Sequence, residues 1–427
     1  MKLINYFLNN YKWILEKSSF LALDRIIKLV VNFGLTIALA KYLEPSGFGK
    51  FNLILMVISI VGALTTLGME SILSKQVSVS VNEEEKKSFL VSSIGLRLIM
   101  SVLVLSIFFI VSAIINYKIE TYLLIGLMAI VPNSFALFEF YFQGLNNTKT
   151  IFLVNQSTFV VTTILKLFGI ILKLDIDYFA SIFFVEFALI GLFYLYKTKF
   201  NKLIFNYFNF SKCFVLFKES WPLFLSTIIV SLYMKIDGFM IKGLLSDQQL
   251  GLYSISTRLT EFWYFIPMAI AQASLPVLAK NVKNNEALKK TIISTIRLML
   301  IVSVCFILIF TFLGEFIISN LFGVIYLDSV LPTKILAWSG IMVSFGLTTN
   351  NFLIVTSNTR IILYRNISGL IVNLILNFIF IPIYGIVGAA ATSLFTQFFI
   401  NFVLDAFSKK TQILFKFKLN SLNLSKS

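Results

Sequence analysis

A chain of 427 residues that is 58% hydrophobic and only 13% charged, with mean hydropathy +0.89, carries more apolar surface than a water-facing fold can hide, since soluble domains hold about 25% charged residues; lipid is its solvent. The net charge of +16 fits basic cytosolic loops under the positive-inside rule better than it fits nucleic acid. The absence of His excludes Ser-His-Asp triads, Cys–His pairs and His-ligated metals, and Cys213 and Cys305 match no redox or metal spacing.

The start, "MKLINYFLNNYKWILEKSS", has no apolar core followed by small residues, so it reads as a cytosolic amphipathic lead-in and not as a signal peptide. Twelve mostly apolar stretches long enough to span a bilayer follow, near 18–42, 47–74, 88–115, 119–143, 150–173, 177–197, 218–245, 249–279, 289–317, 332–356, 361–383 and 385–408. Polar turns such as "EPSG", "GLNNTK", "SDQQ" and "SNTR" punctuate them. With the amino terminus inside, most of the 36 Lys and Arg fall in cytosolic loops, and the outer loops hold only Lys41, Lys50, Lys118, Lys173, Lys242 and Lys334. That asymmetry predicts both termini in the cytosol and an even number of helices.

The first span carries charge. On a 100° wheel Asp24, Arg25, Lys28, Asn32 and Thr36 fall within about 120°, with Leu35 interrupting the stripe. Asp24 and Arg25 lie near the cytosolic surface, where snorkelling or an Asp24–Lys28 brace at i,i+4 is the plain reading, while Arg25 is also a candidate for a cationic, pyrophosphate-binding cavity. Lys28 is deeper and predicts a cavity-lining role. Later spans repeat the theme with Arg97, Lys166, Lys235, Arg258 and Arg297, and with the acids Glu186, Asp237 and Glu261. Arg258 and Glu261 are i,i+3 neighbours, a default structural pair, and Asp237 is a further candidate partner for Arg258. Deep cations outnumber deep acids, and a surplus of Arg and Lys suits an anion such as a pyrophosphate. Asn32, Asn133, Asn155, Gln156, Asn373, Asn377 and Gln397 form a pool of sugar hydrogen-bonders, most of which simply join neighbouring helices.

The basic, aromatic stretch "YKTKFNKLIFNYFNFSKCFVLFK" falls near the chain midpoint. It divides the sequence into a first bundle at 1–200, a cytosolic linker at 201–217, a second bundle at 218–408 and a basic tail at 409–427. A weak echo supports two related halves: "SGFGKFNLILM" opens the second span and "QQLGLYSISTR" the eighth, with Gly49 on Gly251 and Phe51 on Tyr253. No G-x-x-x-x-G-K loop is present, so direct use of ATP is not expected, nor is a resident cofactor. Coupling to H+ or Na+ would need a carboxylate. Glu186, Asp237 and Glu261 are the candidates, with Asp24 read as a brace.

Three stretches resemble the polysaccharide biosynthesis flippases of the O-antigen, or Wzx, type, within the superfamily of multidrug and oligosaccharide-lipid exporters: "ALAKYLEPSGFGKFNLI" (38–54), "MKIDGFMIKGLLSDQQLGLYSISTRLTEFWYFIPMAIAQASLPVLAK" (234–280) and "NLILNFIFIPIYGIVGAAATSLFTQ" (373–397). Lys41 and Glu44 depart from the Arg and Gly common there. The resemblance implies an all-α integral membrane protein with two six-helix bundles around a V-shaped cavity. It implies export of a polyprenyl-pyrophosphate-linked oligosaccharide across the bacterial cytoplasmic membrane, beside other polysaccharide assembly proteins. An ion-coupled multidrug exporter of the same fold is the main alternative, but organic cations call for an acidic cavity. A membrane polymerase or ligase would want a large outer loop with acid–base residues, whereas the segment near 318–331 is short and holds only Asp328.

Overall fold

The computed structural model describes residues 2–116, 118–198, 207–407 and 410–422, with side chains from Ile27 to Ser421. Every regular element is helical. In chain order they are α1 (Lys2–Thr66), α2 (Met69–Val79), α3 (Glu83–Ile114), α4 (Thr121–Met128), α5 (Ile130–Asn133), α6 (Leu137–Gly144), α7 (Thr148–Ile171), α8 (Ile176–Thr198), α9 (Phe210–Leu244), α10 (Asp247–Asn281), α11 (Asn285–Leu321), α12 (Val330–Val355), α13 (Arg360–Phe398), α14 (Leu404–Phe407) and α15 (Gln412–Leu422). Among the described residues, 10 helical stretches are long and apolar enough to cross a membrane.

Two of these stretches are pairs of helices fused at a kink. In α1 the break is Glu44, at φ 54° and ψ 174°, just before Pro45. In α13 it is Gly385, at φ 60° and ψ −140°, a conformation that essentially only glycine adopts. Splitting both pairs recovers the twelve spans expected from hydropathy. The fourth span is a single crossing broken into α4, α5 and α6, with a 3-10 turn at Ser134–Ala136. Pro132, which lacks an N–H, sits at that break.

Helix starts follow capping chemistry. Asn82 accepts from Glu84 N ahead of the acidic first turn of α3, Ser246 from Gln249 N at α10, and Asn284 from Glu286 N and Ala287 N at α11. Each pairs an orphan N–H at a helix terminus.

The chain forms two compact units: residues 1–39 with 54–231, and residues 40–53 with 232–427. The first has a core of Leu73, Leu90, Phe138, Phe142 and Tyr194, in which the Phe138 and Phe142 rings stack on Tyr194. The second is centred on Leu278, Ile292, Ile296, Phe345 and Leu353 and includes Leu414 and Phe417 of α15. The turn at 40–53 is part of the second unit. Tyr326 Oη donates to Ala40 O at 2.8 Å, and Phe48 meets the Tyr326 ring edge-on at 6.5 Å. A Cβ on Gly49 would lie 1.9 Å from Asp247 O, and one on Gly251 1.8 Å from Pro45 O. The two glycines that align in the internal echo therefore face each other, backbone against backbone.

Candidate functional site

In the second unit α9 and α10 bring charges together deep in their spans. Arg258 lies 11 residues into α10 and Lys235 9 residues before the end of α9, about 16 Å and 14 Å along the helices at 1.5 Å per residue. Lys235 Nζ is 3.7 Å from Glu261 Oε1. Arg258 Nη1 is 3.9 Å from Glu261 Oε2, and its Nη2 donates to Asn52 Oδ1 at 3.3 Å. Asn52 is itself fixed by donating to Phe48 O at 2.8 Å. Two cations thus share one carboxylate, and the group is net positive. The Lys235, Arg258 and Glu261 side chains are 28%, 36% and 42% exposed, so charges at this depth face water or an anion and not hydrocarbon.

Asp237, two residues along α9, is built differently. Its Oδ2 accepts from Tyr253 Oη at 3.0 Å and from Ser393 Oγ. Its Oδ1 accepts from Asn377 Nδ2 at 2.6 Å, and Asn377 also donates to Asn373 Oδ1 at 2.9 Å. Asn377 Oδ1 is buried with no hydrogen-bond partner. The expected Asp237–Arg258 pairing is not formed. The aspartate is held by neutral donors, and Arg258 turns to Glu261 and Asn52. Asn373 and Asn377, one helical turn apart, belong to this nest of hard oxygens.

The other expected charges lie apart. In the first unit Lys166 is 3.9 Å from Glu186 and 5.8 Å above the Phe183 ring. Arg97 is 3% exposed, leaves Nε and Nη1 without hydrogen bonds, and has Glu70 as its electrostatic partner. Arg297 sits on α11 with its Nε buried. Lys28 is half-buried and Asn32 exposed, while Leu35 is buried. The side chains of Asp24 and Arg25 lie outside the described residues.

A further polar cluster escaped the sequence reading. Arg365 Nε and Nη2 donate to Ile400 O at 3.0 and 2.8 Å, and Nη2 donates to Asn401 Oδ1 at 3.0 Å. Lys418 donates to Asn401 O at 2.6 Å and to Asp405, and Thr349 Oγ1 donates to the same carboxylate at 3.0 Å. Residues 399–403 form one turn of π-helix, which frees backbone carbonyls. The two cations pair them. The available signal was Asp405 itself, a lone acid in an apolar run.

The model of the family described as "Polysaccharide biosynthesis protein" matches residues 14–282. The chain belongs to the polysaccharide biosynthesis protein family. The first two of the three stretches that carried the resemblance lie inside that match, and so do Lys235, Asp237, Arg258 and Glu261. A second family model, MatE, matches residues 222–379. The chain is similar to the capsular polysaccharide biosynthesis protein CapF of Staphylococcus aureus, 22% identical over 386 residues covering 89% of this chain and 95% of that protein. In fold it resembles a multidrug resistance MATE family transporter of the MOP superfamily in an inward-facing conformation, with TM-score 0.75, 15% identity and coverage of 96% and 99%. It also resembles the lipid II flippase MurJ in its inward closed conformation, with TM-score 0.70, 18% identity and coverage of 94% and 90%. The chain therefore shares the fold of these multi-pass membrane proteins.

Proposed function

We propose that this protein flips a polyprenyl-pyrophosphate-linked oligosaccharide across the bacterial cytoplasmic membrane by alternating access, for assembly of a surface polysaccharide. The observation that carries the reading is the net-positive group of Lys235, Arg258 and Glu261, half-exposed at mid-span in a member of a polysaccharide biosynthesis family. A pyrophosphate is the anion such a group suits. It takes charge-assisted hydrogen bonds from Arg and Lys, while a lipid tail remains in the bilayer. Lys28, Lys166 and Arg297 are further cations that this scheme offers to an anionic cargo. Asp237 is the coupling carboxylate in this scheme. Its nest of hydroxyl and amide oxygens fits a proton or Na+, and binding either would change the charge of α9 two residues from Lys235.

The test is accumulation of cargo. Deleting the gene, or substituting Arg258→Ala, should leave lipid-linked repeat units on the cytosolic leaflet while the protein still reaches the membrane. Normal surface polysaccharide in both strains would overturn the reading. The MatE match over 222–379 supports a second reading, ion-coupled export of small molecules. It predicts drug sensitivity and not glycan loss on deletion, and the cationic excess at Lys235 and Arg258 argues against organic cations as its cargo.

A further inference from the structure

The first unit contains a cavity of about 410 Å³ that, of the charged residues discussed above, only Glu70 enters. It opens between α2, α6 and the middle of α9. Its working surface is Glu70, Ser71, Ser74, Gln143, Ser226 and the Phe140 ring. The volume falls in the range of small-molecule sites, and the lining mixes polar groups with Gly68, Phe140 and Leu223. Its polar part is a carboxyl group, a carboxamide, serine hydroxyls and Thr227, beside the Phe140 ring.

These polar groups are also unspent. Helical Ser and Thr in this protein commonly turn their hydroxyls back onto their own helix, as Ser78 does to Lys75 O at 2.7 Å, Ser93 to Leu90 O at 2.7 Å and Ser101 to Arg97 O at 2.8 Å. Among the described residues the side chains of Ser71, Ser74, Gln143 and Ser226 make no such bond and no other within the protein. Their donors and acceptors remain free for a ligand. A second observation is independent of the lining. Arg97, 3% exposed and with Nε and Nη1 unpartnered, is the counter-charge of Glu70. It is the charge set beside the Glu70 carboxyl group, which lines the cavity wall. The cavity lies near Lys75 and Gln76, which hold Glu219 at 3.2 and 2.9 Å. Loop charge places that end in the cytosol.

We propose that this cavity is a saccharide subsite that takes the glycan end of the cargo on the cytosolic side. A ligand with many hydroxyls, each able to donate and accept, matches a carboxyl group, a bifunctional carboxamide and bifunctional serines, and the Phe140 ring offers a face to the C–H side of a pyranose. The glycan would engage α2 and α6. The inference rests on the flippase reading given above.

The experiment uses the purified full chain in lipid nanodiscs, carrying Ser226→Cys with Cys305→Ser; the remaining Cys213 is buried. Maleimide labelling of position 226 is timed with two probes. One is the free oligosaccharide released by mild acid from the host's own lipid-linked intermediate, and the other is undecaprenyl pyrophosphate without sugar. The expected result is saturable slowing by the oligosaccharide and none by the sugar-free lipid. Gln143→Ala should raise the half-saturating concentration about tenfold, as loss of a good ligand hydrogen bond does. Removing Glu70 would strip buried Arg97 of its counter-charge, so Gln143, whose side chain no protein group uses, is the decisive position. No slowing by the oligosaccharide, equal slowing by the sugar-free lipid, or an unchanged half-saturation in Gln143→Ala each overturn the subsite. If gene deletion blocks glycan export and the subsite fails these tests, the flippase reading stands alone. If deletion leaves export intact, that reading itself falls.

Discussion

Arg258 reaches in two directions, toward Glu261 at 3.9 Å and toward Asn52 at 3.3 Å. Both contacts are long and half-exposed, which leaves the guanidinium able to exchange Glu261 for a doubly charged anion. Replacing it with Ala should weaken pyrophosphate-lipid binding about tenfold to a hundredfold, the loss of one charge-assisted contact, with little effect on the detergent melting temperature. Arg258→Lys should recover only part of the loss, since Lys lacks the fork. Asp237 gives a separate prediction. Asp237→Asn should abolish the dependence of transport on the proton or Na+ gradient, measured in proteoliposomes, while binding of the pyrophosphate lipid persists. Retained ion dependence would move the coupling carboxylate elsewhere. The Arg258–Glu261 pair was legible because i,i+3 spacing on one helix is a local fact. The Asp237 nest was not, because its donors come from three helices. Asn377 and Ser393 are 140 and 156 residues away in sequence, and nothing in their immediate neighbourhood distinguishes them from the Asn and Ser residues that merely join helices.

At the scale of elements, the kinks were readable and the last lock was not. "EPSG" is a readable turn at the α1 break, and the expected spans 361–383 and 385–408 part at the α13 break. Gly385→Ala would force a side chain into φ 60°, ψ −140°, a strain of about 1–3 kcal/mol; the expected readout is a lower melting temperature. The tail reads as basic and cytosolic, yet Lys418 is 1% exposed and bound to Asp405. Its pairing depends on a π-turn that no composition rule announces. Asp405→Ala would leave Arg365 and Lys418 buried without their anion and should cost about 3–5 kcal/mol, measured by thermal unfolding in detergent. Burial pushes the Lys418 ammonium down from 10.5 to about 8, with Asp405 opposing the shift. The folded lysine therefore releases its proton before the unfolded one does. Between about pH 8 and 10.5 the unfolded chain binds more protons, so this residue makes stability rise with pH across that window. Lys418→Met should flatten that rise, which a pH series of melting temperatures would show.

For the whole molecule, hydropathy and loop charge were sufficient for an all-α membrane protein with twelve spans, because span length and Lys/Arg bias are set by the bilayer and need no tertiary knowledge. What they could not show is that the compact units are discontinuous in sequence. The turn at 40–53 is grouped with 232–427, and Tyr326, which donates to Ala40 O, lies 286 residues downstream. That separation has a consequence during synthesis. At about 5–20 residues per second, the first hairpin emerges and inserts roughly 15–60 s before the ribosome makes the tyrosine that anchors its turn. Throughout that interval the seat for Gly49 does not exist, and the turn waits undocked with Lys41, Glu44, Ser46 and Lys50 hydrated. Docking of Gly49 onto Gly251, and of Ala40 onto Tyr326, is then among the last events of maturation, and Tyr326→Phe should delay acquisition of protease resistance in a pulse-chase without changing how many helices are inserted.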